Sequence, residues 1–122
     1  MHHKTYLLRG ADLTDPVTRL VQNYFCEESD TVYESTYEGG YLLAFEDYSW
    51  LNGNAIMVCI RVNSTRAASG EVEIEILSGG ANSSMLQNVD WGSEKRRIKR
   101  FEKELMGFCK EMGVDVGVVR EG

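Results

Sequence analysis

Apolar and polar residues alternate most regularly between Glu71 and Leu77, where glutamates separate Val72, Ile74 and Ile76. This two-residue period predicts a β-strand with one buried face and one solvated face. Segments rich in β-branched and aromatic residues predict further strands at 5–9, 31–37, 41–49 and 55–62, and a short last strand at 85–89.

Glycines mark the predicted breaks between these strands. The glycine pair in 38–40 and the Asn-Gly pair in 52–54 predict tight hairpin turns, because such residues adopt the backbone angles that these turns require. Ser78-Gly79-Gly80 predicts a bend or a bulge at the end of the strand that begins at Glu71.

Two other segments have helical spacing. Apolar residues recur every three or four positions from Leu13 to Glu28, and again from Ser93 to Met112. Pro16 suits the first turn of the first helix, and Gly113 ends the second helix. The residues from 114 to 119 either add a small strand or pack against the domain.

The predicted order of elements is β-α-β-β-β-β-(β)-α. Short links between consecutive strands require an antiparallel meander with both helices on one face. The sequence therefore predicts one α+β domain over residues 1–122, a two-layer sandwich of five or six strands and two helices. This order is similar to the helix-grip arrangement, in which a curved sheet wraps a C-terminal helix and often leaves a ligand cavity between them.

Charge is distributed unevenly along the chain. The net charge of -6 argues against a nucleic-acid-binding surface over the whole protein. Between Lys95 and Lys103, however, six basic residues accompany a single glutamate, and most of them fall on the side of the second helix opposite its apolar stripe. This basic face is either an ordinary solvated surface or a site for an anion, with RNA, an acidic protein or an anionic membrane as alternatives. The anion-binding candidates are Arg96, Lys99, Arg100 and Lys103.

The cysteines bear on location and on metal binding. Cys26, Cys59 and Cys109 are odd in number, far apart and placed in apolar segments, as is typical of buried thiols in a reducing compartment. No Cys/His cluster has zinc-ligand spacing, so we expect no metal and no cofactor. No stretch approaches the roughly 18 apolar residues of a membrane span, and we expect a cytoplasmic protein.

The sequence offers few catalytic candidates. Its two histidines, His2 and His3, lie near the N-terminus, where we expect mobile residues, so a histidine-based active site is not predicted. Carboxylates are available in Glu46-Asp47 and at positions 71, 73 and 75, and the latter three are interpreted as a solvated strand surface because they alternate with apolar residues. The alternative is a small carboxylate-dependent enzyme, which requires two of them to face one pocket.

Aromatic residues near predicted turns are ligand-binding candidates. Such residues either line the mouth of a pocket or cover the edge of the core. If they converge with Met57 or Met106 around a void, a small apolar ligand is predicted. Glycine-rich turns also expose backbone N–H groups that bind anions. The ligand-binding candidates are Tyr48, Trp50, Ser78, Gly79, Gly80 and Trp91.

Four short motifs resemble the pattern of a bacterial domain-of-unknown-function family of small proteins. They occur in order as Glu46-Asp-Tyr-Ser49, Gly53-Asn54, Ser78-Gly-Gly80 and Trp91-Gly-Ser-Glu94, and cover about the second half of the chain. The chain departs from that pattern in its N-terminal segment and in its strongly basic second helix. Members of the family carry no assigned activity, so the resemblance implies one compact bacterial α+β domain and no catalytic residue.

These observations do not identify one function. The leading prediction is a non-catalytic module that binds a small ligand or a protein through the cleft between sheet and helix or through an exposed sheet edge, with a homodimer as one form of it. The alternatives are the carboxylate-dependent enzyme and binding of an anion or RNA through the basic face of the second helix.

Overall fold

The described residues form six strands and two helices in the order β-α-β-β-β-β-α-β. The computed structural model describes the backbone of residues 1–28, 31–49, 54–80 and 87–122, and the side chains of residues 1–24, 32–46, 56–79 and 95–122. The elements are β1 (His2–Arg9), α1 (Thr14–Glu28), β2 (Thr31–Tyr37), β3 (Gly40–Ser49), β4 (Asn54–Asn63), β5 (Glu71–Gly80), α2 (Gln87–Met112) and β6 (Asp115–Glu121). A short 3-10 helix, Ala67–Ser69, connects β4 to β5.

The strands form one antiparallel sheet in the order β2-β3-β4-β5-β1-β6. The meander runs from β2 to β5, and β1 then pairs with the free edge of β5. Because β1 lies between β5 and β6, the unit β5-α2-β6 is a split β-α-β crossover. The predicted α+β class is confirmed, with the sixth strand placed after the second helix.

Both helices contribute to a single buried core. The core stripe of α1 consists of Val17, Val21 and Tyr24, preceded by Leu13 directly before the helix, and that of α2 consists of Ile98, Phe101, Leu105 and Cys109. Each stripe has the three- and four-residue spacing of one helical face. The α1 helix contacts β3 and β4, whereas α2 contacts β5, β1, β4 and β6. The Tyr24 and Phe101 rings meet edge to face, 5.3 Å apart, where the two helices adjoin.

The strands present alternate residues to this core. Val72, Ile74 and Ile76 of β5 are at most 1% exposed, while the glutamates between them point to the opposite side of the sheet. We call the side that carries the helices the helix face and the opposite side the open face. The helix face holds the apolar core, which is the predicted two-layer arrangement.

The structure corrects the predicted break at Ser78-Gly79-Gly80. The strand β5 continues to Gly80, and Gly79 and Gly80 pair with Met57 and Ile56 of β4. Ser78 pairs with both Val58 and His2. The glycines stay extended because the neighbouring strand supplies partners for their backbone groups, and this tertiary pairing outweighs their weak strand propensity.

Two further boundaries differ from the predictions. The α2 helix begins at Gln87 rather than Ser93, so residues 87–89 of the predicted short strand are helical, and residues 81–86 lie outside the described part of the chain. Adding residues to a helix that has already formed costs little free energy, which explains its extension toward the N-terminus. Residues 52 and 53 of the predicted turn at 52–54 belong to the segment 50–53, which is also not described.

The other turn predictions agree with the structure. Gly39 has a φ angle of 83° in the turn between β2 and β3, and Gly113 has a φ angle of 69° directly after α2. Glycine tolerates these left-handed angles without a steric cost. Within the described residues, no helix is long and apolar enough to cross a membrane.

Candidate functional site

One of the larger openings in the described part of the structure lies between α2 and the β1–β6 end of the sheet. It has a volume of about 450 Å³. His2, His3 and Lys4 line it from β1, and Glu121 and Gly122 line it from the end of β6. The α2 wall consists of Lys95, Ile98, Lys99 and Glu102. We call this opening the α2 cleft; its volume lies within the roughly 300–1,000 Å³ range of small-ligand sites.

A hydrogen-bonded ion network forms the inner part of the α2 cleft. The Lys4 ammonium lies 2.6 Å from Glu102 Oε1 and 3.4 Å from Glu121 Oε2. The Tyr6 hydroxyl donates a 3.0 Å hydrogen bond to the same Glu102 oxygen. Lys4 and Tyr6 lie two residues apart on β1 and therefore point to the same face of the sheet, toward α2. This network ties α2 to β1 where the core ends.

The network holds its members in their ordinary charge states. The hydrogen bond from Lys4 lowers the pKa of Glu102, and the same contact raises the pKa of Lys4. Burial, and then the hydrogen bond to Glu102, raise the pKa of Tyr6. Glu102 is therefore ionised at neutral pH, Lys4 is protonated and Tyr6 is neutral.

The predicted basic face of α2 is exposed, but only part of it reaches the cleft. Lys99 lines the α2 cleft together with Lys95 one helical turn earlier. Arg96, Arg100 and Lys103 are exposed on α2 and do not line the cleft. Within the part of the chain whose side chains are described, the Lys99 ammonium forms no ion pair, although it lies close enough to help lower the pKa of Glu102.

The ligand-binding candidates do not assemble into a pocket among the described residues. The Ser78 side chain is fully buried, and its hydroxyl has no hydrogen-bond partner in the described structure. Gly79 and Gly80 are strand residues rather than an exposed turn. Tyr48, Trp50 and Trp91 fall outside the residues whose side chains are described.

The two methionines proposed as their partners lie on different sides of the sheet. Met57 is on the open face and is 55% exposed, whereas Met106 packs against the core on the helix face. A single apolar pocket therefore does not contain both.

The carboxylates of β5 lie on the open face and are mostly neutralised. Glu71 lies 3.4 Å from both Arg9 and Arg66, and Glu75 lies 3.3 Å from Arg61. Glu71 and Glu73 do share a pocket, but its volume is about 50 Å³. That space suits one or two water molecules rather than a substrate. Glu46 is exposed, and the Asp47 side chain is not among those described.

The prediction that His2 and His3 belong to a mobile terminus is wrong. Both are strand residues of β1, paired with Ser78 and Leu77 of β5, and both line the α2 cleft. Three further members of the cleft, Lys4, Glu102 and Glu121, were not predicted from the sequence. The two-residue spacing of Lys4 and Tyr6 indicates that their side chains share one face of the strand. Their partners on α2 and β6, however, are about a hundred residues away in the chain.

Neither described cysteine is an activated nucleophile. Burial raises the pKa of the Cys59 and Cys109 thiols, which keeps them protonated. Both are free thiols, and the Cys26 side chain lies outside the described set. Within that set, no group of three His, Cys, Asp or Glu side chains is placed to hold a metal ion.

Comparison of the chain with protein-family models, with curated proteins and with solved structures gives no match. The similarity of the four short motifs to a bacterial family of unknown function stays a prediction.

Proposed function

We propose that this chain is a non-catalytic binding module that holds a small phosphorylated or carboxylated ligand in the α2 cleft. The observation that carries the proposal is the meeting of three lysines, Lys4, Lys95 and Lys99, around an opening of about 450 Å³. Lysine ammonium groups bind phosphate and carboxylate oxygens through charge-assisted hydrogen bonds. A cleft of this size admits an anion together with the small organic group that bears it.

The internal ion pairs select where the ligand binds within the cleft. Lys4 is occupied by Glu102 and Glu121, which neutralise it and hold it in place. Lys99, which forms no ion pair in the described part of the chain, is the cation most available to a ligand. The expected anion therefore sits toward the α2 wall, and the Ile98 side chain provides an apolar surface beside it.

The charge states in the cleft favour binding over acid–base catalysis. A general acid or base works best when its pKa lies near the working pH. The pKa of Glu102 is lowered and that of Lys4 is raised, so each moves away from neutrality. The Lys4–Glu102 ion pair is therefore suited to stabilising the structure of the cleft rather than to exchanging protons. The polar walls also favour an anion over the predicted apolar ligand.

Titration of ¹⁵N-labelled protein with sodium pyrophosphate and, in parallel, with citrate tests this proposal. At low ionic strength we expect saturable amide shifts in β1, at the end of β6 and in the α2 residues that line the cleft. The K95E/K99E double variant is expected to weaken binding by about tenfold or more, because both changes place repulsive charge beside the anion. Binding is also expected to weaken as salt is added.

The matched control is the K103E/K110E double variant, which makes the same charge change on exposed α2 residues outside the cleft. It is expected to weaken binding clearly less than K95E/K99E does, because Lys103 and Lys110 do not line the cleft and act on the anion only through solvent. Equal losses in the two variants would instead support binding over the whole basic face. Absence of saturable shifts with either anion would contradict the proposal.

Three further proposals are separate from the cleft. We infer a cytoplasmic location, which is supported by two free thiols among the described residues. We also retain a bacterial origin as a proposal, on the short sequence motifs alone. The homodimer is a third proposal and concerns the open face.

A further inference from the structure

The open face of the sheet carries large exposed apolar side chains with no covering element among the described residues. Tyr33 is 61% exposed, Met57 is 55% exposed and Tyr37 is 45% exposed. They lie on β2 and β4 at positions whose side chains point away from the helices. Exposed apolar surface gathered on one face of a sheet is typical of a protein-protein contact. This surface is distinct from the α2 cleft.

The dimensions of the open face match those of a dimer interface. Six strands spaced at about 4.8 Å, each seven to ten residues long, give a face of roughly 28 Å by 25 Å, or about 700 Å². A stable complex buries about 800 Å² on each partner. The area of the face is therefore close to the area that one partner of a stable complex buries, and slightly below it.

The charged pair at the centre of the open face is complementary to the same pair in a second copy of the chain. Arg61 of β4 and Glu75 of β5 are opposite each other in the sheet, and the Arg61 Nη2 atom lies 3.3 Å from Glu75 Oε1. A two-fold axis parallel to the strands, midway between β4 and β5, places Arg61 of one copy over Glu75 of the other, and the reverse. If the axis between the two sheets instead ran perpendicular to the strands and through this pair, it would place Arg61 over Arg61. The pair thus selects one orientation.

The strand order fits the same axis. The line between β4 and β5 divides the sheet into three strands on each side. The axis places each β4 residue over the β5 residue that pairs with it in the sheet. Exposed Met57 then meets Gly79 of the second copy, and Cys59 meets Leu77. The Met1 side chain of the second copy lies against Gly79 and is itself largely exposed, so the contact that Met57 makes there is apolar.

We propose that two copies of this chain form a symmetric homodimer through their open faces, with β4 of each copy over β5 of the other. Aligned sheets pack at about 30° to one another, so the two central strands make the closest contacts. The Arg61–Glu75 pair becomes a four-charge cluster at the centre, where loss of water strengthens it. The α2 clefts remain on the outside of the dimer.

Sedimentation velocity over a range of protein concentrations tests the dimer directly. We expect wild-type protein to be dimeric and the M57E variant to dissociate at least about 100-fold more readily, because it buries an unpaired charge. The matched control is M112E, which makes the same substitution on α2 at a side chain that is 52% exposed. It is expected to remain dimeric.

Two outcomes of this experiment would overturn the proposal. The first is a wild-type protein that is monomeric at about 100 µM, a concentration at which a dimer with micromolar affinity is almost fully formed. The second is an M57E variant that dimerises as readily as M112E.

A charge-swap experiment tests the orientation. R61E alone and E75R alone each bring like charges together in their own homodimers, and both are expected to be monomeric. In a heterodimer of the two variants, the glutamate introduced at position 61 faces the arginine introduced at position 75, and the native Glu75 of one chain faces the native Arg61 of the other. An equimolar mixture is therefore expected to form heterodimers. Circular dichroism establishes that each variant is folded. Folded variants that stay monomeric when mixed would overturn the proposed orientation.

Discussion

The two faces of the sheet are built from alternate residues of the same strands, yet their chemistry differs. On β5, Val72, Ile74 and Ile76 are buried beneath the helices, while Glu71 and Glu75 reach arginines on the open face. The helix face is complete within one chain, because its apolar side chains already meet a partner layer. Among the described residues, the open face pairs its charges locally and has no layer over its exposed apolar side chains. The difference assigns stability to the helix face, and the proposed dimer would form through the open face.

The largest difference in stability between the two faces is expected when one aromatic residue on each face is replaced. Phe101 is fully buried against Tyr24 and Tyr6, and F101A is expected to reduce the free energy of unfolding by about 3–5 kcal/mol through lost burial and a residual cavity. Tyr33 is 61% exposed on the open face, and Y33A is expected to change it by about 0.5 kcal/mol or less. Denaturant unfolding at low protein concentration measures both. Similar losses in the free energy of unfolding of the two variants would contradict the assignment of stability to the helix face.

A smaller effect is expected when one carboxylate is neutralised on each face. Glu102 accepts hydrogen bonds from Lys4 and Tyr6 at the margin of the helix face. E102Q is therefore expected to lower the free energy of unfolding by about 1.5–3 kcal/mol at pH 7. E71Q is the control, because Glu71 pairs with Arg9 and Arg66, which are both mostly exposed; its expected cost is about 0.5 kcal/mol.

The loss in E102Q is expected to depend on pH. Because the pKa of Glu102 is lowered on folding, its contribution is present above the unfolded value of about 4.3 and is lost as the pH falls through the folded value. Wild type and E102Q should thus approach equal stability at low pH. Unfolding curves between pH 7 and pH 3 measure this, and a constant difference across that range would contradict the assigned role.

The smallest effect concerns a hydroxyl that interrupts the apolar helix face. Ser78 is fully buried, and its Oγ has no hydrogen-bond partner among the described residues. S78A removes this unsatisfied group and is expected to raise the free energy of unfolding by about 1 kcal/mol. Ser35, half-buried on the open face, is the matched position, and S35A is expected to stay within about 0.5 kcal/mol of wild type. A clear loss of stability in S78A would mean that the hydroxyl has a partner.

Much of the fold was predictable because its signals are local. The alternation around Ile74 and the helical spacing around Phe101 identify both layers and their buried sides. The extension of β5 through Gly80 was not predictable, because glycine has weak strand propensity and only β4 supplies its partners. The candidate site was predicted only at Lys99, since the other walls of the α2 cleft come from both ends of the chain.

The sequence by itself determined the α+β class, the two helices, the alternation of the strands and a basic face on the second helix, because each depends on the period of neighbouring residues. Only the tertiary structure decided that β1 lies between β5 and β6, and that Lys4 meets Glu102. It also decided that Arg61 and Glu75 lie side by side near the centre of the open face. These contacts join residues far apart in the chain, and strand pairing and packing of the core bring them together.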